Sequence, residues 1–419
     1  MALQDIYKKA SLVMKPAAMK EGKVYSQQPH SGEGDFNFSR ANGVQTRVNK
    51  HGLIENVADN TPRLSYELDA DGNVSECPTL LLEPTRLNRV FPNNTLSGYP
   101  ALNATVSNNN STSPDGASNA SLVTSGSGGT TIGVFKGFSG ASASTTHSMS
   151  VFLKKGTYDR IKVQEGFASA NMVVNLTNGT EVSSQNATNR KIEAYSNDWY
   201  RISFNFTSAS SGNLQFSLFV DGTTSTGISF YAFGGQIEEG SYATSLIPTA
   251  GTTEVRGVDT AKLSNFSDIP SDNPFTVLWE GSADTYDSTG FSSQSPFSLV
   301  HSGAFNCYFS FNFVNENTMA IRRRNTSDTN NTFSVSNSDN YKIAVCYINS
   351  TTIKVYVNGV EVFDSTALSS VSFTGGETVD AILLGQLRDG ADTGKRNSCK
   401  NFALFNVELS DSELITLTT

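Results

Sequence analysis

The chain has 419 residues, which is too long for one ordinary hydrophobic core and predicts two or three domains. Charged residues make up only 16% of it, while Phe, Tyr and Gly are abundant; this balance suits an all-β protein with polar turns and excludes a disordered chain. The net charge of −9 argues against nonspecific binding to nucleic acid or docking onto an anionic membrane, and it is compatible with a neutral partner such as a glycan.

The sequence of residues 1 to about 75 predicts a short helix followed by strands and turns. Apolar positions at residues 3–13 suit one short helix, and Pro16 limits its extension. Farther along, Phe36 and Phe38 alternate with polar residues, which is the pattern of a half-buried strand. The first residues contain no continuous apolar stretch, so we expect no signal peptide, and no apolar run is long enough to predict a membrane-spanning helix.

A second unit begins near residue 76. Leu80–Leu82 form a short apolar run that suits a strand buried on both faces. Residues 93–132 are rich in Asn, Ser, Thr and Gly and predict long loops. Between residues 147 and 239, short strand patterns recur at regular spacing with turn residues between them, which indicates a β-sandwich.

The same strand pattern starts again in the region of Pro270 and continues toward the C-terminus. Asn358 and Gly359 tolerate positive φ angles and predict a type I′ hairpin between alternating apolar positions. The chain closes with a short helix capped by Ser410 or Asp411. The sequence therefore predicts an all-β chain with two tandem β-sandwiches behind an N-terminal strand-and-turn segment.

Three parts of the chain are similar to known families. The stretch GGQIEEGSYATSLIPT at residues 234–249 resembles the closing strand and exit of a carbohydrate-binding-module-like jelly roll found in many bacteriophage tail and virion proteins. Residues 33–90 resemble the region that precedes this jelly roll in the same proteins. The segments PFTVLWEG, IKVYVNGVEV and FALFNVELSDSELITL resemble parts of a laminin-G or concanavalin-A-like domain. The expected domains are an N-terminal attachment region at 1–75, a jelly roll at 76–256 and a laminin-G/concanavalin-A-like domain at 262–419.

The resemblance implies a structural bacteriophage virion protein, of the tail or head fibre or spike type. Its N-terminal region would attach to other virion proteins, and one sandwich would bind host-surface polysaccharide without catalysis. Such proteins act as homo-oligomers, most often homotrimers, because multivalency strengthens weak sugar binding. The expected location is the surface of the virion. Two alternatives stay open: a purely structural decoration or collar protein without a ligand, and a polysaccharide depolymerase.

The adjacent glutamates Glu238 and Glu239 raise the question of a catalytic or metal site. Neighbouring residues on a strand point to opposite faces, so this pair cannot converge on one substrate. We expect a structural role at the end of a strand. The alternative for Glu238 is a structural calcium ion, which jelly-roll binding modules often carry. No other cofactor is expected.

Trp199 and a basic run are the candidate ligand contacts. An exposed indole can stack on a sugar ring, but Trp199 begins an alternating strand, so packing is the competing interpretation. Arg322, Arg323 and Arg324 form the basic run; they either contact an anionic polysaccharide or lie on a solvated strand end. Trp279 is expected in a core.

Neither cysteine spacing nor local motifs indicate catalysis or a metal centre. The four cysteines, Cys77, Cys307, Cys346 and Cys399, lack metal-ligand spacing; we expect mostly buried free thiols, with a disulfide among the last three as the alternative. No GxSxG, HExxH or P-loop motif occurs, which leaves an enzymatic function without positive support.

Overall fold

The computed structural model is built almost wholly of antiparallel β-strands. Strands make up 53% of the chain and helices 4%, which confirms the all-β prediction. The structure describes all residues except 1, 41–42, 127–128, 265, 267, 269–272, 284–294, 302–306, 326, 339, 366–378 and 388–395, and the side chains of 307–308, 324–325 and 327–328. None of the described helices is long and apolar enough to cross a membrane.

The helices and strands follow one another in three groups. The first group is α1 (Leu3–Tyr7), β1 (Leu12–Met14), β2 (Met19–Lys20), β3 (Lys23–Val24), β4 (Phe36–Arg40), β5 (Gln45–Val48), β6 (Ile54–Val57), β7 (Leu64–Ser65), β8 (Thr79–Leu82) and β9 (Arg86–Asn88). The second is β10 (Ala101–Leu102), β11 (Ala104–Ser111), β12 (Ala120–Ser125), β13 (Gly133–Phe138), β14 (Thr146–Lys155), β15 (Arg160–Glu165), β16 (Ala170–Asn175), β17 (Thr180–Gln185), β18 (Thr188–Tyr195), β19 (Trp199–Thr207), β20 (Leu214–Val220) and β21 (Ser229–Glu239). The third is β22 (Glu254–Arg256), β23 (Asp259–Ser264), β24 (Phe275–Ala283), β25 (Phe297–Val300), β26 (Cys307–Asn315), β27 (Thr318–Asn325), β28 (Ser327–Ser334), β29 (Tyr341–Asn349), β30 (Thr352–Val357), β31 (Val360–Ser365), β32 (Ala381–Leu384), β33 (Asn397–Phe405) and α2 (Asp411–Thr418).

The second group of strands forms the smaller sandwich. Its outer sheet has the strand order β10-β13-β20-β15-β16-β17, and its inner sheet has the order β11-β12-β21-β14-β19-β18. Between them lies one apolar core, to which Val163 and Phe216 contribute from the outer sheet and Val151 and Ile202 from the inner sheet. Burial alternates along β15, so every second side chain faces away from the core.

Three strands lie where the sequence predicted loops. Strands β10, β11 and β12 occupy much of residues 93–132, so that prediction was wrong for this part. Strand β11 is at the edge of the inner sheet. Its side chains are either exposed or only partly buried, because one side of an edge strand faces solvent. A polar edge strand of Asn, Ser and Thr cannot be told from a loop by composition.

The first and third groups together form the larger sandwich, except for the separate strand pairs β5-β6 and β9-β22. One sheet has the order β31-β30-β29-β24-β33-β8-β7, with β1 also paired to β33, and the other has the order β2-β3-β4-β23-β32-β25-β26-β27-β28. Leu12 lies opposite Leu404, and Phe38 lies opposite Ala261. The core contains Trp279, which is fully buried as predicted.

The domain arrangement differs from the expected division at residue 75. Residues 1–75 contribute strands to both sheets of the larger sandwich instead of forming a region of their own. The smaller sandwich is an insertion, and the chain enters and leaves it through the paired strands β9 and β22. Attachment to a particle through residues 1–75 stays a prediction.

Local predictions near the C-terminus are confirmed. Asn358 and Gly359 have φ angles of 49° and 81°, as a type I′ turn between β30 and β31 requires. Helix α2 begins after Ser410, whose side chain and that of Glu413 form a capping box.

The described cysteines are free thiols. Cys346 and Cys399 are buried, and Cys77 is exposed, which departs from the expected burial. Burial raises the pKa of the Cys346 and Cys399 thiols, so both stay protonated. The side chain of Cys307 lies outside the description, and its pairing stays untested.

Candidate functional site

The resemblance-bearing stretch at residues 234–249 forms part of a buried polar cluster. Glu238 is fully buried, and its carboxylate accepts hydrogen bonds from the backbone N–H of Thr244 at 3.0 Å, from the Thr244 hydroxyl, and from Gln236 Nε2 at 2.8 Å. Glu239 is exposed and accepts a bond from the Ser142 hydroxyl at 2.7 Å. The two glutamates therefore point to opposite faces, as predicted, and Glu238 fixes the segment after β21.

A network of charged side chains continues from this segment into the larger sandwich. Arg63 pairs with Glu83 at 2.6 Å and with Asp259, and Arg256 pairs with Glu83 at 3.1 Å; all four side chains are fully buried. From the exit of the smaller sandwich, the backbone N–H of Ser245 donates to Glu83 at 2.8 Å. Burial alone would raise the pKa of Glu83, but the charges of Arg256 and Arg63 outweigh burial and hold that pKa well below its usual range. The network is a buried joint between the two sandwiches.

Calcium binding at Glu238 stays a prediction. Its carboxylate already accepts three hydrogen bonds, so an ion there would have to displace them. In the described part of the chain, no three His, Cys, Asp or Glu side chains lie close enough together to hold a metal.

Trp199 lies on the face of the inner sheet that points away from the core of the smaller sandwich, and it is only 1% exposed. It packs with Phe152 and Phe233 of the same sheet, and Ile54 and Leu246 cover the group. Its indole Nε1–H donates to the carbonyl of Thr112 at 3.1 Å. Because a sugar ring cannot reach a buried indole, Trp199 is not a stacking platform in this structure, and packing is its role.

The three arginines of the basic run do not form one surface patch. Arg323 is fully buried and donates from Nη1 to the carbonyl of Ser350 at 2.7 Å, and burial lowers its pKa. Arg322 is partly buried on the opposite face of β27, and the side chain of Arg324 lies outside the description. Strand alternation therefore separates neighbours that the sequence suggested as one anion contact.

The outer sheet of the smaller sandwich presents a row of polar and aromatic side chains on the face opposite the core. Strand pairing places Phe135 opposite Ser217, Ser217 opposite Gln164, Gln164 opposite Asn171, and Asn171 opposite Gln185. We call these five residues the amide row. Neighbouring strands are about 4.8 Å apart, so the row is about 19 Å long.

Four of the five residues of the amide row are accessible to a ligand. Phe135, Gln164 and Asn171 are partly exposed and Gln185 is exposed. Ser217 is fully buried among its neighbours, and its hydroxyl has no hydrogen-bond partner within the described residues. Neighbouring residues cover Ser217, so the members of the amide row that a ligand can reach are Phe135, Gln164, Asn171 and Gln185.

The neighbouring row on the same face adds a second ring and a cation. Phe219 and Lys162 lie opposite each other, and both are partly exposed. Val173 follows Lys162 in this row and is covered, with 2% of its surface exposed. This face therefore combines flat apolar surface with amide donors and acceptors.

Sequence reasoning missed this face. The alternation of Lys162 and Gln164 with the buried Ile161 and Val163 signals a polar face on one strand. This alternation does not show that Phe135, which lies some 30 positions earlier in the chain, is aligned with Gln164. Only the strand register places residues from several strands in one row.

No family model matches the chain, and no curated protein matches it. The chain is similar to the solved CBM40 of the Ruminococcus gnavus IT-sialidase bound to α2,3-sialyllactose, over 37% of this chain and 87% of that one, at 18% identity and a TM-score of 0.31. It is also similar to the NanB sialidase of Streptococcus pneumoniae, over 38% of this chain and 26% of that one, at 22% identity and a TM-score of 0.32. Domain 4 of AbnA, a GH43 arabinanase of Geobacillus stearothermophilus solved with arabinotriose, matches over 39% of this chain and 73% of that one, at 15% identity and a TM-score of 0.30. Because these identities and TM-scores are low, the sugars bound in those structures are properties of those proteins only.

Proposed function

We propose that this protein binds a glycan without catalysis, through the amide row of the outer sheet. The observation that carries the proposal is the alignment, in one row of the outer sheet, of the partly exposed ring of Phe135 with the accessible carboxamides of Gln164, Asn171 and Gln185. Sugar hydroxyls can bond to these carboxamides, whereas an apolar ligand would leave them without partners.

The chemistry of the row suits a polyhydroxylated ligand. The rings of Phe135 and Phe219 offer flat apolar surface for the C–H face of a sugar. Gln164, Asn171 and Gln185 each carry one acceptor oxygen and two amide hydrogens, so they can bond to neighbouring hydroxyls as donor and acceptor together. The row itself has no charged member, which favours neutral sugar units at this face.

The first prediction concerns the carboxamides. The double variant Gln164→Ala, Asn171→Ala is expected to lose about 100-fold in glycan affinity, since two side chains with hydrogen bonds worth about 1–1.5 kcal/mol each are removed. The measurement is retention of the purified full chain on bacterial envelopes, with and without prior removal of their surface polysaccharide, followed by titration with the released glycan.

A matched control removes the same groups elsewhere. Gln27 and Asn37 are exposed on the larger sandwich, so Gln27→Ala, Asn37→Ala should bind like the wild type. Equal retention of both double variants would overturn the assignment to the amide row. Release of reducing ends from the polysaccharide would instead support the depolymerase alternative.

The second prediction concerns the stability effect of Ser217. The variant Ser217→Ala is expected to unfold at the same or a higher urea concentration, because it removes a buried hydroxyl that lacks a partner within the described residues. Its glycan affinity should match the wild type, because Ser217 is fully buried and does not reach a bound ligand.

Ser148 provides the contrast for this test. It is equally buried, but its hydroxyl donates to the carbonyl of Tyr242 at 2.9 Å. Ser148→Ala should therefore lose about 1 kcal/mol of unfolding free energy and keep its glycan affinity. An equal loss of stability in both serine variants would contradict the view that the Ser217 hydroxyl has no partner within the described residues.

More specifically, we propose that the protein is a virion protein of the fibre or spike type. It is supported by the resemblance of residues 33–90 and 234–249 to bacteriophage virion proteins. In such a protein, a homotrimer would present three amide rows, and multivalency would convert weak single-site binding into firm attachment to host polysaccharide. A monomer in light scattering at micromolar concentration would remove the basis of the avidity argument.

A further inference from the structure

A cleft of about 590 Å³ is lined by residues of the β5–β6 hairpin and of the larger sandwich, and it shares no residue with the amide row. Its lining includes the apolar residues Met19, Leu64 and Pro78, which we call the apolar wall, and the polar residues Lys50, His51 and Tyr66. The volume falls within the range of about 300–1,000 Å³ that is usual for ligand pockets. The cleft is therefore large enough for a sugar unit.

The charges around the cleft leave one cation in excess. Arg47 pairs with Glu55 at 2.6 Å, and Asn49 Nδ2 donates to Glu55 at 3.0 Å. Burial alone would raise the pKa of Glu55, but the bonds from Asn49 and Arg47 outweigh burial and lower it, so Glu55 stays ionised and neutralises Arg47. Lys50 is exposed and has no ion-pair partner among the residues that the structure describes. A positive cleft in a chain of net charge −9 points to an anionic ligand.

The turn that carries Lys50 is held in place before any ligand binds. The side-chain oxygen of Asn49 accepts the backbone N–H groups of His51 at 2.9 Å and Leu53 at 3.1 Å. Gly52 has a φ angle of +75°, and a Cβ there would come within 3.0 Å of Val74, so the turn is packed closely against the neighbouring segment. Binding to such a fixed turn costs little conformational entropy.

We propose that this cleft binds a carboxylated sugar, with Lys50 supplying the charge for the carboxylate and Tyr66 and the apolar wall contacting the ring. This second site goes beyond the glycan binding proposed for the amide row and does not depend on it. The apolar wall favours a sugar over free phosphate, which has no apolar surface to bury. This proposal assigns an anionic glycan contact to Lys50, whereas the sequence suggested Arg322, Arg323 and Arg324 for such a contact.

The test is titration calorimetry with trigalacturonate, with neutral galactotriose and with inorganic phosphate. The full chain carries Gln164→Ala and Asn171→Ala in these titrations, so neutral sugar bound at the amide row does not contribute. The expected result is binding of trigalacturonate, at least tenfold weaker binding of galactotriose, and none of phosphate. Lys50→Gln should weaken trigalacturonate binding by about 10- to 100-fold, because hydrogen bonds to charged groups contribute about 1.5–3 kcal/mol. Lys23→Gln makes the same charge change at an exposed position outside the cleft and should have no effect.

The outcomes are distinct from those for the amide row. The variant Gln164→Ala, Asn171→Ala should bind trigalacturonate like the wild type, even if it loses neutral glycan. Equal binding of galactotriose, comparable binding of phosphate, equal effects of the two lysine variants, or no binding of trigalacturonate at millimolar concentration would each overturn the proposal.

Discussion

Replacing Arg63 with methionine is expected to lower the free energy of unfolding by about 3–5 kcal/mol. Arg63 is fully buried and bonds to Glu83, to Asp259 and to the hydroxyl of Ser245. Methionine has similar length but no charge, so two buried carboxylates would lose a shared partner. Urea denaturation followed by circular dichroism measures the loss.

An exposed ion pair provides the control for this variant. Arg190 pairs with Glu181 at 2.9 Å, and both side chains are partly exposed. Arg190→Met should cost less than about 1 kcal/mol, because solvent screens such pairs. Losses of similar size for the two arginines would contradict the view that the buried joint stabilises the protein.

The pH dependence gives a second readout of the same joint. Because the pKa of Glu83 is lowered in the folded state, the ionised Glu83 contributes to the free energy of unfolding. This contribution is fully present above the ordinary glutamate pKa of about 4.3 and is lost as the pH falls below that value. Removing Arg63 raises the folded-state pKa of Glu83 toward that value. The stability difference between wild type and Arg63→Met should therefore be largest above about pH 5 and shrink in more acidic solution.

Trp199→Ala is expected to cost about 3–5 kcal/mol of unfolding free energy, as large-to-small changes of buried tryptophan do. The variant leaves a cavity beside Phe152 and Phe233 and removes the indole hydrogen bond to Thr112. Under conditions where the variant is folded, its glycan affinity should match the wild type. Thermal unfolding and glycan titration together check both parts.

The aromatic residue Phe167 is the control, since it is 50% exposed on the same sandwich. Phe167→Ala should change stability by less than about 0.5 kcal/mol. If Trp199→Ala abolished binding with no loss of stability, the residue would be a sugar platform and the buried packing described for it would be wrong.

The sequence predicts well those features whose causes lie close together in the chain. The hairpin at Asn358 and Gly359 follows from two residues that tolerate positive φ, and helix α2 follows from the Ser410 and Glu413 capping box. Fold class follows from the regular strand patterns for the same reason.

Features that depend on strand register could not be predicted. Leu12 pairs with Leu404 across nearly the whole chain, and no local pattern at either residue names its partner. The amide row is likewise an alignment of residues from five strands. Arg323 is a case in which a local pattern misleads. In the sequence it looks like a surface charge, but it lies on the core-facing side of its strand.

The insertion of one sandwich within the other also sets an order for folding on the ribosome. Strands β10–β21 are contiguous, so the smaller sandwich has all its strands once Glu239 has been synthesised. The larger one needs β33, which lies between β24 and β8, and so it cannot close until residues 397–405 have emerged. Until then β1 and β8 lack their final neighbour β33, and the early-folded smaller sandwich separates them from it during synthesis.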